Sequence, residues 1–177
     1  MMPETWQEHY RRLYRSTNYD MRSSRRGPAF WESIRDLLMP PVVDLGCGRG
    51  HFVQWVKGQG LGCLGVDWVD AGADIVADIT QPLDLGGYRT ATAFDVLEHV
   101  PDGGLDGVLA NLAMPERWVI TVDNKPSRLW LGRQLHITRL SWPEWRRRLG
   151  RVLTIGGEQT PWPARANRVR LFWGRRP

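Results

Sequence analysis

The sequence predicts an α/β domain built on a doubly wound, mostly parallel sheet of seven strands. Three observations lead there. Short apolar runs alternate with amphipathic segments through residues 40–124, the pattern of parallel strands joined by crossover helices. The first run, Val42–Leu45, empties into Gly46-Cys47-Gly48-Arg49-Gly50, a glycine-rich turn ahead of a helical segment. Aspartates recur where the runs stop, at Asp44, Asp67, Asp78, Asp95 and Asp123. In open sheets of this kind, ligands bind beyond the carboxyl ends of the strands.

Taken in order, residues 4–16 read as an amphipathic helix with Trp6, Tyr10, Leu13 and Tyr14 on one face. Residues 17–28 read as a polar loop. A second helix, about 28–39, turns Phe30, Ile34, Leu37 and Leu38 inward and stops at Pro40-Pro41. After the glycine turn a helix carries Phe52, Val53, Trp55 and Val56 and ends near Gly58. Leu61–Val66, Ala73–Ala77, Thr90–Phe94 and Trp118–Val122 read as further strands, with a helix at Leu105–Leu112. Only WVDAGAD separates Asp67 from the third strand, so the second helix region is shortened to a single turn or less. Ser141 and Glu144 frame a capping box opening the helix Trp142–Leu149. Residues 151–159 and 168–174 pair as a C-terminal antiparallel hairpin across a proline-rich loop.

The chain of 177 residues suits one domain with a real core. No apolar run is long enough for a transmembrane helix, and the N-terminal stretch lacks a signal core, so a cytoplasmic location is expected. Cys47 and Cys63 form no CxxC pair and read as buried, reduced thiols. The scattered histidines His9, His51, His99 and His136 give no HExxH or Cys/His ladder, so no metal is expected. Charge is uneven. Residues 139–177 hold ten Arg against two Glu, whereas residues 1–138 hold 14 Lys and Arg against 17 Asp and Glu. Such a basic end marks either a face for nucleic acid or a solvated surface. Ten tryptophans mean several in the core and some available as stacking platforms.

The glycine turn narrows the ligand. Gly46-x-Gly48-x-Gly50 places His51 where a dinucleotide fingerprint has its third glycine, and no G-K-[ST] follows. Asp44 ahead of the glycines repels a pyrophosphate and attracts an ammonium group. VVDLGCGRG resembles motif I of the class I S-adenosylmethionine-dependent methyltransferases. GVD at 65–67, ADI at 77–79 and FDVLEHV at 94–100 agree in order, with weaker similarity in LHITRLSWPEW at 135–145.

The resemblance implies a Rossmann-like methyltransferase fold in a single domain over residues 1–177. Residues 1–39 would cover the site, 40–124 form the cofactor-binding core, and 125–177 supply the acceptor side and a basic end. It implies S-adenosyl-L-methionine as cofactor. The Gly46, Cys47 and Gly48 turn would wrap the methionine part, with Asp44 near its ammonium. Asp67 would take both ribose hydroxyls, Trp68 the adenine face, and Asp78 and the Ile79 N–H the adenine edge. Asp95 and Val96 would line the loop under the sulfonium. Trp68 and Asp78 have structural alternatives, as a core residue and a turn residue. Candidate acid–base groups are His99, His136 and Glu98, although His99 also suits a turn at Pro101. Tyr10 and Tyr14 either pack in the core or close over the cofactor.

Neither [DN]-P-P-[FY] nor a Pro-Cys pair is present, which disfavours methylation of exocyclic amines or cytosine C5 in DNA. The acceptor is expected to be a small molecule or a nucleoside, with nucleic acid possible through the basic C-terminal region. An inactive methyltransferase-like binding protein, or an enzyme using the same pocket for another reaction, remain as alternatives. No membrane association is expected, and the sequence gives no oligomeric state.

Overall fold

A computed structural model describes residues 5–15, 27–161 and 168–177. The sheet has strand order β3-β2-β1-β4-β5-β9-β8. Its strands are β1 (Val42–Leu45), β2 (Cys63–Asp67), β3 (Ile75–Val76), β4 (Thr90–Phe94), β5 (Arg117–Asp123), β8 (Thr154–Gln159) and β9 (Val169–Arg175). The first five are parallel, and β9 pairs antiparallel with both β5 and β8. The helices are α1 (Trp6–Arg15), α2 (Pro28–Ser33), α3 (His51–Gly58), α4 (Asp102–Leu112) and α5 (Trp142–Leu149). The expected doubly wound sheet and its C-terminal hairpin are therefore present.

Both faces of the sheet are covered, which is why all four residues of β1 are buried. Alternation along the strands sorts side chains to two clusters. Val43, Leu45, Ala91, Trp118, Ile120 and Phe172 meet α4 and α5 through Leu105, Leu109, Trp145 and Leu149. Val42, Val119 and Leu171 point the other way and meet α2 and α3 through Phe30, Trp31, Phe52 and Val56. Each fully buried large apolar side chain contributes about 1.5–3 kcal/mol. A third cluster lies at the carboxyl edge. There α1 packs Tyr10 and Leu13 against Val69, beyond β2, and Leu135, beyond β5.

Several local details differ from expectation. The helix expected over 28–39 breaks at Ile34 (φ −108, ψ 3), and a 3-10 turn covers Arg35–Leu37. The Ser33 hydroxyl donates to the Phe30 carbonyl at 2.6 Å, and the fully buried Ile34 anchors the break. β2 begins at Cys63 rather than Leu61, and β3 is two exposed residues at the sheet edge. A small hairpin, β6 (Leu129–Trp130) and β7 (Arg133–Gln134), had no counterpart in the sequence reading. Its turn places Leu131 (φ 46) and Gly132 (φ 81) in left-handed conformations, as tight hairpins demand. Of the loop expected at 17–28, residues 17–26 lie outside the described residues, as does much of the proline-rich loop.

The shortened region after β2 is a turn with no helix. It folds back onto the glycine loop, where a Cβ on Gly72 (φ +143) would lie 2.5 Å from the Arg49 carbonyl oxygen. The capping box of α5 forms, with the Ser141 N–H donating to Glu144 at 2.8 Å. No helix among the described residues is long and apolar enough to cross a membrane.

Candidate active site

The carboxyl ends of β1, β2 and β4 open on a cleft, the place where open sheets of this kind bind ligands. Its walls include Gly46, Asp67, Trp68, Asp78, Ile79, Asp95, Val96 and His99, so most of the residues singled out from sequence converge there. Thr80, Val100 and Pro101 complete the far side.

The floor is the glycine loop. The Gly46 and Cys47 N–H groups both donate to the Val66 carbonyl, which folds the chain tightly over β2. Gly46 (φ +73) faces Val96 so closely that a Cβ would lie 2.7 Å from its methyl carbon. Asp44 sits beneath the loop, buried, and accepts the Thr92 hydroxyl at 2.7 Å. Cys47 turns its sulfur down toward Gly65, and it does not line the cleft. Burial, then the nearby Asp44 carboxylate, pushes its thiol far up, which makes it a poor nucleophile. Cys63 is likewise pushed up to about 12, by burial first.

Asp67 stands at the end of β2 with both oxygens held. Oδ2 accepts the Gly48 N–H and Oδ1 the Val69 N–H, each at 3.0 Å. Burial raises its pKa to about 6 against the opposing pull of these bonds and of the Tyr14 hydroxyl. Trp68 follows, its ring 5.6 Å from that of Tyr10, while its carbonyl accepts Gln7 Nε2 at 2.7 Å. Asp78 is exposed and accepts both the N–H and the hydroxyl of Thr80, an Asx turn at the cleft rim. Asn111, buried in α4, holds this rim by donating to the Ile79 and Gln81 carbonyls and accepting the Leu83 N–H. Asp95 closes β4 in a left-handed conformation (φ 52). Its N–H and carboxylate are both tied to Thr121 on β5, which stabilises a conformation that is otherwise costly.

The three acid–base candidates are brought together. Glu98 is fully buried, and its Oε1 accepts the Asp123 N–H at 2.9 Å. His99 lies beside it with Nδ1 2.7 Å from the Tyr10 hydroxyl. His136 comes from the segment after β7; its ring centroid is 4.8 Å from that of His99. Its Nδ1 lies 2.6 Å from the Lys125 carbonyl, and burial lowers its pKa despite that bond.

Some contributors had weak sequence signals. Tyr10 and Tyr14 are both core and cleft residues, so the two readings were not exclusive. Asn111 was legible only as a lone polar residue on the apolar face of α4.

This fold and this arrangement of glycine loop and strand-end carboxylates define a class I methyltransferase architecture. The family model described as a methyltransferase domain matches residues 6–152, and the chain belongs to that family, the S-adenosylmethionine-dependent methyltransferases. No curated protein matches by sequence. Among solved structures, the magnesium protoporphyrin IX methyltransferase of Synechocystis, with bound SAM, is 17% identical with a TM-score of 0.69 and 100% of each chain covered. The 1,6-didemethyltoxoflavin-N1-methyltransferase of Burkholderia thailandensis is 18% identical with a TM-score of 0.67, over 99% of this chain and 92% of that one. A putative methyltransferase of Haloferax volcanii, in complex with the Trm112 activator, is 15% identical with a TM-score of 0.70, over 98% of this chain and 100% of that one.

Proposed function

We propose that this chain transfers the methyl group of S-adenosylmethionine to a small-molecule or nucleoside acceptor bound at the His99 end of the cleft. The observation that carries the reading is the single cleft lined by Gly46, Asp67, Trp68, Ile79, Asp95 and Val96. These residues fit the cofactor in chemistry as well as position. A buried carboxylate at the end of β2 accepts a ribose diol, since its two oxygens take up to about four donors. The backbone at Gly46 approaches a ligand with no side chain between. Trp68 offers a flat face to adenine, and Asp78 with the Ile79 N–H meets the adenine edge. Asp44, beneath the loop, favours the methionyl ammonium.

Bound in the cleft, the cofactor supplies an electrophilic methyl group on its sulfonium. The protein's share is alignment and exclusion of water. Tyr10 and Tyr14 of α1 wall the cleft on one side and shield it from solvent. Where the acceptor must lose a proton, His99 is the base nearest the cleft, with Glu98 and His136 behind it.

Ion pairing favours a small acceptor over a nucleic-acid strand. Arg146 and Arg170 are paired with Glu158, Arg148 with Asp102 and Asp106, and Arg168 with Asp123. Four of the ten arginines of the C-terminal part are thereby held in ion pairs within the domain. Titration calorimetry with S-adenosylmethionine and its demethylated product tests the cofactor. A radiolabelled-methyl screen over nucleosides and small metabolites then tests the acceptor. Absence of binding at millimolar cofactor overturns the reading.

A further inference from the structure

We infer that Glu98, His99 and His136 bind one first-row divalent transition cation at the acceptor end of the cleft. One donor atom from each lies within 4.8 Å of the other two. A point central to three atoms so spaced is at most about 2.8 Å from each, against roughly 2.0–2.2 Å for zinc bound to imidazole or carboxylate. Side-chain movements of roughly 0.7 Å close that difference.

The donors are carried by segments that the fold locks together. Glu98 and His99 lie on the 3-10 turn Leu97–His99 behind β4. The segment carrying His136 is pinned to that turn. The Thr138 N–H donates to the Glu98 carbonyl at 3.0 Å, and its hydroxyl donates to the Val100 carbonyl at 2.6 Å. The set is therefore preorganised by contacts that do not involve the donors' own side chains.

Each imidazole is oriented through Nδ1. The partner of His136 is the Lys125 carbonyl, which only accepts, so Nδ1 carries the hydrogen and Nε2 the lone pair. The partner of His99 is the Tyr10 hydroxyl, which can accept a hydrogen from Nδ1 in the same way. A hydrogen bond on the nitrogen away from the ion is the usual companion of a ligating histidine. Glu98 is similarly steadied by the Asp123 N–H on Oε1.

Two nitrogens and one carboxylate suit zinc, manganese or iron(II) better than magnesium or calcium, which favour oxygen. His99 lies in both the cluster and the cleft wall, with Glu98 and His136 buried behind it, so an acceptor atom that completes the ion's coordination reaches it alongside His99. Resting on the methyl-transfer reading, this selects acceptors that present an oxygen donor, such as a hydroxyl or a carbonyl, beside the cofactor.

The test is calorimetry of the full chain, stripped with chelator, against zinc, manganese and magnesium chlorides in the absence of cofactor. The expected result is one equivalent of zinc and weaker manganese binding, each tighter than magnesium. His99→Gln and His136→Gln should each weaken zinc at least about tenfold, and Tyr10→Phe about tenfold through the lost partner on Nδ1. Glu98→Gln risks misfolding, so the histidine variants carry the test, with circular dichroism confirming their fold. Failure to bind zinc or manganese overturns the site, as does binding that survives in the double histidine variant. Cofactor binding is measured separately. Its failure with metal binding intact refutes the methyl-transfer reading and leaves the metal centre standing.

Discussion

Replacing Asp67 with Asn tests the cofactor assignment most directly. The native carboxylate is nearly fully buried and accepts backbone N–H groups from Gly48 and Val69. Burial moves its pKa from the usual 3.8 to about 6, worth about 3 kcal/mol in favour of the protonated form. The sign for stability follows. The native protein keeps this proton up to about pH 6, whereas the unfolded chain releases it near 3.8. This group's contribution is therefore full below about pH 4, declines as pH rises toward 6, and is flat above. Asp67→Asn lacks that slope. For the cofactor the sign is opposite, because the ionised carboxylate is the form that accepts two ribose hydroxyls. Wild-type affinity should fall about tenfold between pH 7 and pH 5. Asparagine keeps the shape and one acceptor oxygen but loses the equivalent of one charge-assisted bond, worth about 1.5–3 kcal/mol, so affinity at pH 8 should drop by roughly 10- to 150-fold. The variant should then show no further pH dependence. Calorimetry across this pH range, with urea denaturation alongside, measures both effects. Wild-type affinity that stays flat from about pH 5 to 8, or a variant that keeps the wild-type slope, refutes the placement of the ribose.

Three further outcomes are expected. Gly46→Ala forces a Cβ into Val96 at a left-handed backbone, and should cost about 1–3 kcal/mol by denaturant unfolding together with measurable cofactor affinity. Asn111→Ala removes the three bonds that hold residues 79–83 and should cost roughly 2–4 kcal/mol, read as a lower thermal midpoint. Trp68→Ala should weaken cofactor binding by about 1–3 kcal/mol, the scale of base–aromatic stacking, seen by calorimetry.

The parallel sheet was legible because its signals are local. Val42–Leu45 puts a valine on each face of the strand, and the glycines that end it have no better use than a tight turn. Asp67 and Asp95 were legible for a related reason, since a carboxylate at the end of a buried strand needs a partner. Boundaries were less readable where tertiary contacts decide them. The break at Ile34 depends on a hydroxyl bonding back to Phe30 and on burial against the sheet. The β6–β7 hairpin relies on Leu131 at positive φ, which leucine gives no reason to expect. Asp44 and Cys47 belong to the glycine motif by sequence, yet their side chains point beneath the loop, because alternation in β1 and the turn at Gly46 fix their directions. The juxtaposition of His136 with Glu98 and His99 had no spacing to reveal it, since their separation along the chain is closed only by the docking of Thr138.

The placement of α1 has a consequence for how the domain can be divided. Residues 40–124 hold the recognisable motifs, yet the cleft they outline is walled by Tyr10 and Tyr14 from the start of the chain. Leu135, from beyond β5, packs in the same cluster as Tyr10 and Leu13. Three distant stretches thus meet around one cleft, through contacts between residues far apart in sequence. A fragment cut to the motif-bearing core would keep every glycine and aspartate of the fingerprint and still present an open trough. The cleft wall is thus completed by residues outside the fingerprint, and the fingerprint alone is an incomplete description of the cleft.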